Sequence, residues 1–320
     1  MVIQSVKSVF TLMVLIMTGY VFTGKKWFGK SGSDFLSKFT VQVTVPCFVF
    51  YNMYVDVASR EALLDLFSKL PVTFGSILVS LLAVAIVGKI CHVDPVRKGT
   101  FVAAAGFSNV VFIGFPVIQS LWGESITSIG VIYYMSSTLL FWTVGIALLR
   151  KDCKTKVTGK DAWKQDLKKI FAPPMIALIA GIVVVLLQIP IPDIVLSPMK
   201  LLKSITSPLA MVFIGSVIRT MDLKSLKFGR DLYLALAVRF IILPVITVFY
   251  LNCWPIPGRM KEVFFVLAAM PSMTQMGIMA REYESDYEFA CTVIATTTFI
   301  SLLTIPLFMY ILTEFSVFGA

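Results

Sequence analysis

The sequence predicts an all-α membrane protein of ten transmembrane helices, arranged as two inverted repeats of five, and three observations support this prediction. Apolar residues make up 58% of the 320-residue chain and charged residues only 14%, whereas a soluble domain carries roughly 25% charged residues. Ten apolar runs each approach the ~20 residues that a helix needs to cross a bilayer. The fourth and ninth runs are interrupted by glycine, proline and polar residues, which is unusual inside a lipid-exposed helix.

The ten runs are separated by loops, and none is bounded by the strict alternation of a β-strand. They cover approximately residues 3–23, 35–55, 70–91, 99–121, 126–149, 171–189, 201–220, 232–253, 261–281 and 288–312. The first run lacks a small-x-small cleavage site and continues to Lys25 and Lys26. It is therefore interpreted as a helix and not as a signal peptide.

The loops differ in their content of Lys and Arg, and this difference predicts the orientation. The odd-numbered loops carry twenty basic residues and the opposite face carries seven. Because basic loops stay in the cytoplasm, both termini are expected outside a plasma or inner membrane. The longest basic loop, residues 151–169, is expected to form an interfacial cytoplasmic helix. The net charge of +10 is thus explained by topology, and no nucleic-acid partner is expected.

The 151–169 loop divides the chain into two halves, residues 1–150 and 170–320. Each half holds five runs, so related halves would have inverted topologies. Aligning Phe101–Phe115 with Phe265–Met279 gives five identities, and both segments lie in the fourth run of their half.

The first interruption, in the fourth run, contains Ser108, Asn109, Gly114 and Pro116. Pro116 lacks an N–H and disfavours a helical residue before it. In a bilayer the freed backbone groups need a protein partner or a water-filled cavity, so a broken span predicts a binding site. The alternative is a kinked helix whose Asn109 bonds to a neighbour, since Gly and Pro are common in membrane helices.

The second interruption, in the ninth run, contains Pro271, Ser272, Thr274 and Gln275. Interruptions at corresponding positions of two halves are the best sequence indication of a transporter binding site. The paired pattern therefore favours a substrate site over a packing kink. Its polar groups are neutral, and nearby helix ends could offer N–H dipoles to an anion.

Other polar or proline positions are weaker candidates. Asn52 follows Pro46 by one to two turns and would face either a cavity or the outer headgroups. Pro46 and Pro208 are interpreted mainly as packing kinks. Arg239 lies inside the eighth run, where a charge is costly and by default functional. Its alternative role is to extend its guanidinium to the interface.

The pattern of charged and metal-binding residues argues against several functions. All eighteen acidic residues lie in loops or near the ends of runs, which leaves no carboxylate at mid-membrane depth for proton or sodium coupling. The five cysteines show no CxxC spacing and His92 is the single histidine, so no metal, cofactor or enzyme activity is expected. A receptor would need an extramembrane domain, which the runs leave no room for.

Three motifs resemble the auxin efflux carrier family. The segment from Asn109 to Pro116, N-V-V-F-I-G-F-P, is similar to the first crossover of that family, and A-A-M-P-S-M-T-Q with the later A-R-E-Y is similar to the second. V-R-F-I-I-L-P, which contains Arg239, is similar to the eighth span of the family. The resemblance covers essentially the whole chain. Gln275 and Met276 depart from the family, where many bacterial members have Asn and plant members have Pro respectively.

The resemblance implies a fold like that of sodium/proton antiporters and bile-acid symporters. Spans 1, 2, 6 and 7 would form a scaffold and a homodimer interface, and spans 3–5 and 8–10 a moving transport domain. Asn109 would bind a substrate carboxylate where the fourth and ninth helices cross. We therefore expect a secondary transporter for a small organic anion, such as malate, malonate or an auxin-like acid. A sodium- or proton-coupled carrier of the same fold is the main alternative.

Overall fold

The computed structural model describes residues 2–27, 30–57, 59–152, 172–220, 229–315 and 317–318. Every regular element within these ranges is helical, so the all-α prediction is confirmed. Five helical segments are long and apolar enough to cross a membrane: Arg60–Ile90, Glu124–Lys151, Asp193–Thr220, Arg230–Asn252 and Tyr287–Leu312. Most of these segments consist of consecutive shorter helices, which are numbered separately below.

The chain forms two compact units, and each combines segments from both halves of the sequence. Unit 1 contains Met1–Leu70, Val111–Met135 and Lys168–Met221. Unit 2 contains Pro71–Val110, Ser136–Leu167 and Asp222–Ala320. The division into two sequence repeats, and into scaffold and transport domain, stays a prediction.

Unit 1 is built from helices that pack through small residues. Its helices are α1 (Val2–Gly24), α2 (Lys30–Phe39), α3 (Val45–Asp56), α4 (Arg60–Ser68), α7 (Phe115–Trp122), the first half of α8 (Thr127–Leu140), α10 (Pro173–Leu186), α11 (Asp193–Ser204) and α12 (Thr206–Thr220). A Cβ on Gly215 of α12 would overlap the carbonyl oxygen of Ile16, and one on Gly19 of α1 would overlap that of Val212. These glycines therefore let α1 and α12 approach backbone to backbone, as small residues do in membrane interfaces.

A buried lysine lies in unit 1 near the end of α11. Lys203 is only 6% exposed, and its Nζ lies 3.0 Å from Oε2 of Glu124. The same Nζ lies 4.6 Å from the ring centre of Tyr51. A buried ammonium requires such partners, because its desolvation is costly.

Unit 2 contains the remaining helices. They are α5 (Leu70–Ile90), α6 (Lys98–Gly106), the second half of α8, α9 (Ile146–Lys151), α13 (Arg230–Ala237), α14 (Leu243–Asn252), α15 (Gly258–Ala268), α16 (Gln275–Glu282) and α17 (Tyr287–Phe315). A Cβ on Gly99 would overlap the carbonyl oxygen of Leu148, so α6 and α9 also meet through their backbones. The helix α6 is the first half of the broken fourth run. Because of this close approach, it packs directly against the end of the fifth run.

Several helices contain π-helical turns directly before a proline. The turns Thr40–Thr44, Val110–Gly114 and Val238–Ile242 precede Pro46, Pro116 and Pro244, each in the first turn of the next helix. A proline ring clashes with the carbonyl one turn earlier and has no N–H to donate to it. A widened turn at that point accommodates the ring without ending the helix.

The structure adds helical segments that the apolar runs did not predict. Residues 60–68 form α4 and residues 193–200 form the larger part of α11, although both stretches lie outside the predicted runs; the last four residues of α11 belong to the seventh run. The break at Ile205 also places Pro208 in the first turn of α12, where proline is tolerated. The interfacial helix predicted at 151–169 lies almost entirely outside the described residues.

Candidate crossover site

Unit 2 contains two short stretches of non-helical backbone between apolar helices. The first lies between the end of α6 at Gly106 and the turn that starts at Val110. The second lies between the end of α15 at Ala268 and the start of α16 at Gln275. Both fall within the interruptions of the fourth and ninth runs.

The two stretches pair with each other in antiparallel fashion. Ser108 and Ser272 form a β-bridge. The amide of Asn109 donates to the carbonyl of Pro271 at 2.8 Å, and the amide of Met273 donates to the carbonyl of Phe107 at 3.1 Å. Each break thus supplies the backbone partners that the other lacks, which meets the requirement for satisfied polar groups away from water.

Side chains complete the backbone pairing. Ser272 is fully buried, and its hydroxyl donates to the carbonyl of Ala104 at 2.6 Å. The amide of Ser272 donates to Oγ1 of Thr297 on α17 at 3.1 Å, and that hydroxyl donates to the carbonyl of Val293 at 2.7 Å. Ser272 therefore connects the end of α6 and the interior of α17 to the second break.

The polar side chains of the two breaks meet at the N-terminus of α16. Nδ2 of Asn109 donates to Oγ1 of Thr274 at 2.8 Å. Asn109 is 3% exposed, whereas Thr274 and Gln275 are half-buried. The amide of Asn109 and the hydroxyl of Thr274 thus lie together at the first turn of α16, where the amides of Met276 and Gly277 already donate to the carbonyls of Met273 and Thr274. This combination suits a carboxylate, because the side-chain amide and the hydroxyl can donate hydrogen bonds and the positive end of the helix dipole favours an anion.

Arg239 is buried beside the two paired breaks, with only 1% of its surface exposed. Its Nη1 donates to the carbonyls of Ala105 at 3.0 Å and Gly106 at 3.2 Å. Its Nη2 donates to the carbonyl of Ala268 at 3.0 Å, and Nε donates to the carbonyl of Met270 at 2.8 Å. Nη2 also donates to the carbonyl of Met270. The guanidinium therefore binds the C-terminal ends of both α6 and α15 and does not reach towards an interface.

The N-terminal end of α6 is fixed by an acid that follows the fifth run. Asp152 is 8% exposed, and its carboxylate accepts from the amides of Gly99 at 2.9 Å and Thr100 at 2.6 Å. It also accepts from the hydroxyl of Thr100 at 2.8 Å. Burial raises the pKa of Asp152 above its ordinary value; the bonds from Thr100 and Gly99 lower it, and the charge of Asp286 raises it.

The other predicted site residues lie in unit 1. Gly114 ends a π-helical turn, and Pro116 is buried in the first turn of α7. Asn52 lies on α3 and is fully buried. Neither its amide nitrogen nor its amide oxygen has a hydrogen-bond partner among the described residues. An unpaired buried amide costs about 1–3 kcal/mol, so Asn52 is a separate candidate for ligand binding.

Sequence reasoning missed two residues that hold the crossing in place. Asp152 follows a basic helix end and reads as part of the loop, because its partners Gly99 and Thr100 lie fifty residues earlier. Thr297 belongs to a run of three threonines in the tenth apolar run, where a hydroxyl usually bonds only to its own helix. In the sequence, this run of threonines was the one indication that Thr297 contributes to the crossing.

An apolar chain whose described elements are all helical, with two paired helix breaks, has the features of a membrane carrier. The comparison with protein families agrees, because a family model described as "membrane transport protein" matches residues 4–309. The chain belongs to this family, and its resemblance to the auxin efflux carriers is confirmed.

Two archaeal relatives match over nearly their whole lengths. An uncharacterized transporter of Methanothermobacter thermautotrophicus is 23% identical over 316 residues, which cover 96% of this chain and 98% of the relative. An uncharacterized transporter of Methanocaldococcus jannaschii is 27% identical over 321 residues, covering 95% and 97%. Both are similar to this chain end to end.

Proposed function

We propose that the protein is a secondary transporter of a small organic anion, a carboxylate or dicarboxylate, and that it works by elevator-type alternating access. Membership in the transport family supports the general class. The observation that carries the choice of an anion is the convergence of Asn109 and Thr274 at the N-terminus of α16.

The crossover would bind a carboxylate through neutral donors. Nδ2 of Asn109, which donates to Thr274, would donate to the substrate instead, and the Thr274 hydroxyl would turn towards it. The N-terminus of α16 adds the positive end of a helix dipole, which favours an anion. Gln275, the first residue of α16, adds a longer amide that would contact the part of the substrate beyond its carboxylate.

Transport in this proposal is driven by the membrane potential or by exchange of one acid for another. No acidic residue lies between Asp94 and Glu124 or between Glu262 and Glu282, so neither break carries a carboxylate that could hold a proton. An anion that leaves a cell with a negative interior gains about 2.3 kcal/mol per charge per 100 mV. A sodium- or proton-coupled carrier is the alternative, and sodium would then have to bind hydroxyls and carbonyls such as those of Ser108, Ser272 and Thr274.

The wider arrangement follows from the family resemblance and belongs to the same proposal. Ten spans in two inverted repeats would place both termini outside the cell membrane. Spans 1, 2, 6 and 7 would form the scaffold of a homodimer. The buried amide of Asn52 is proposed as a further substrate contact on the second span.

Flux measurements in liposomes test the proposal. Vesicles loaded with malate, malonate or an aryl acetate should release the labelled acid when valinomycin and a potassium gradient impose a potential. Release should persist without sodium and with a protonophore present. Asn109→Asp should abolish release, because it places a negative charge at the anion site, whereas Asn252→Asp changes an exposed amide of unit 2 and should have no effect. Flux that stops without sodium, or that ignores the potential, would contradict the proposed energetics.

A further inference from the structure

Each of the last four carbonyl groups of α6 accepts a hydrogen bond from a group within unit 2. The last four carbonyls of a helix have no partner inside it. In α6 the carbonyl of Ala103 accepts from the amide of Phe107, and that of Ala104 accepts from Ser272. The carbonyls of Ala105 and Gly106 both accept from Nη1 of Arg239. Arg239 thus provides the last two donors that this helix end requires.

The end of α15 depends on the same side chain. The carbonyl of Phe265 accepts from the amide of Ala269. The carbonyls of Ala268 and Met270 accept from Nη2 and Nε of Arg239. One guanidinium therefore binds the C-terminal ends of two different half-helices at once, using the planar set of donors that only arginine has.

The charges at these helix ends can be compared with the charge of Arg239. Each helix C-terminus carries about −0.5 elementary charge, so α6 and α15 together present about −1 at the point where they end. Arg239 supplies one positive charge at the same point. The N-terminus of α16 adds about +0.5. With the negative ends neutralised, the part of the crossing that lies in unit 2 has a positive balance, as an anion site requires.

The local fold directs Arg239 to this position. It lies in the π-helical turn Val238–Ile242, which precedes Pro244. The widened turn points a side chain away from the face that a regular helix would give it. An arginine buried at 1% exposure would otherwise be very costly in a membrane.

We propose that Arg239 is the permanent counter-charge of the crossover, bound where the carbonyl ends of α6 and α15 would otherwise need a mobile cation. The carrier would therefore require no sodium ion at this place, and Arg239 would raise the affinity of the site for anions without touching the substrate. Arg239 is thus a positioning residue. Its effect on anion affinity rests on the proposed function, whereas its role as a bound cation does not.

The first experiment tests the bound cation alone and needs no substrate. Arg239→Gly should leave a carbonyl-lined space that accepts free guanidinium. Low millimolar guanidinium chloride, far below denaturing concentrations, should raise the melting temperature of purified Arg239→Gly but not that of the wild type. Tetramethylammonium chloride at equal ionic strength is the control, because it cannot donate hydrogen bonds. A variant that is folded and shows no response to guanidinium or sodium would overturn the inference.

The second experiment separates charge from hydrogen bonding. Arg239→Lys keeps the charge and Arg239→Gln keeps donors without charge. In liposomes the Lys variant should retain the KM for the transported acid within a few fold, and the Gln variant should raise it by about tenfold or more, because a neutral side chain no longer offsets the negative ends of α6 and α15. A Gln variant with unchanged KM would show that Arg239 acts only as a hydrogen-bond donor and would overturn its role as counter-charge. If the wild type transports no organic anion, the proposed function fails, while the guanidinium result still decides the inference.

Discussion

Asn109 and Thr274 stand 165 positions apart in the chain, yet the amide nitrogen of one donates to the hydroxyl oxygen of the other at 2.8 Å. The bond joins the two helix breaks at the start of α16.

Asn109→Ala should weaken binding of the transported anion by about 1–3 kcal/mol. Because the two residues touch, Asn109→Ala and Thr274→Val should show a coupling of about 0.5–3 kcal/mol in a double-mutant cycle of anion binding. Isothermal titration measures it, with Asn252→Ala as the exposed control. Unchanged binding together with a collapsed melting temperature would make Asn109 a structural residue.

The pairing of the breaks predicts a specific effect at Ser272. Ser272→Ala leaves the buried carbonyl of Ala104 without its donor, and Thr297→Val leaves the amide of Ser272 without its acceptor. Each change should cost about 1–3 kcal/mol of stability. Thermal unfolding in detergent measures the loss. Thr143→Val removes a hydroxyl that bonds only within its own helix and should shift the melting temperature far less.

The close approach of α1 and α12 predicts that Gly215 cannot be enlarged. Gly215→Ala places a methyl group against the backbone of Ile16 and should cost about 1–3 kcal/mol. Gly229→Ala is the matched control, because a Cβ there has nothing within 4 Å. Equal melting temperatures for the two variants would contradict the backbone contact between the helices.

The raised pKa of Asp152 predicts the pH dependence of stability. A carboxyl with a raised pKa binds its proton more tightly in the folded state, so its contribution to stability is largest at low pH. That contribution is lost as the pH rises from the ordinary pKa towards the raised one. The melting temperature of the wild type relative to Asp152→Asn should therefore fall over this interval. Asp286→Asn should move the fall to lower pH, because the charge of Asp286 raises the pKa of Asp152. A flat difference would contradict the raised pKa.

The charge asymmetry of the loops predicts which cysteines an impermeant thiol reagent will label. In a cysteine-free background, Ser125→Cys should react in intact cells, while Thr155→Cys and Lys227→Cys should be protected. Ser125 is exposed and is a better probe than its neighbour Glu124, which pairs with Lys203. Thr155 and Lys227 lie outside the described residues, so this prediction rests on sequence alone. External labelling at Thr155 would reverse the orientation.

Composition and apolar runs were sufficient to predict the helical class, and the paired interruptions marked the segments where Ser108 meets Ser272. These features are local, because proline and glycine act on the residues beside them. The role of Arg239 could not be predicted in the same way. Its partners lie more than a hundred residues earlier and about thirty residues later, and nothing in the eighth run shows that they converge. The same holds for Asp152, whose effect depends on a contact between the fourth and fifth runs. The amide of Asn109 was predicted to face a substrate, and the structure adds that Thr274 is its neighbour.

The π-helical turns before Pro46, Pro116 and Pro244 have a consequence for how these helices can evolve. Each turn holds one residue more than a regular turn, and one residue corresponds to about 100° of helical rotation. The segments on either side of each proline are therefore out of phase, and each can keep its own face towards its neighbours. Loss of the proline would let the turn tighten and would rotate everything beyond it. In the eighth run such a rotation would carry Arg239 away from the ends of α6 and α15. The position of Pro244, five residues after Arg239, therefore determines where the buried charge lies.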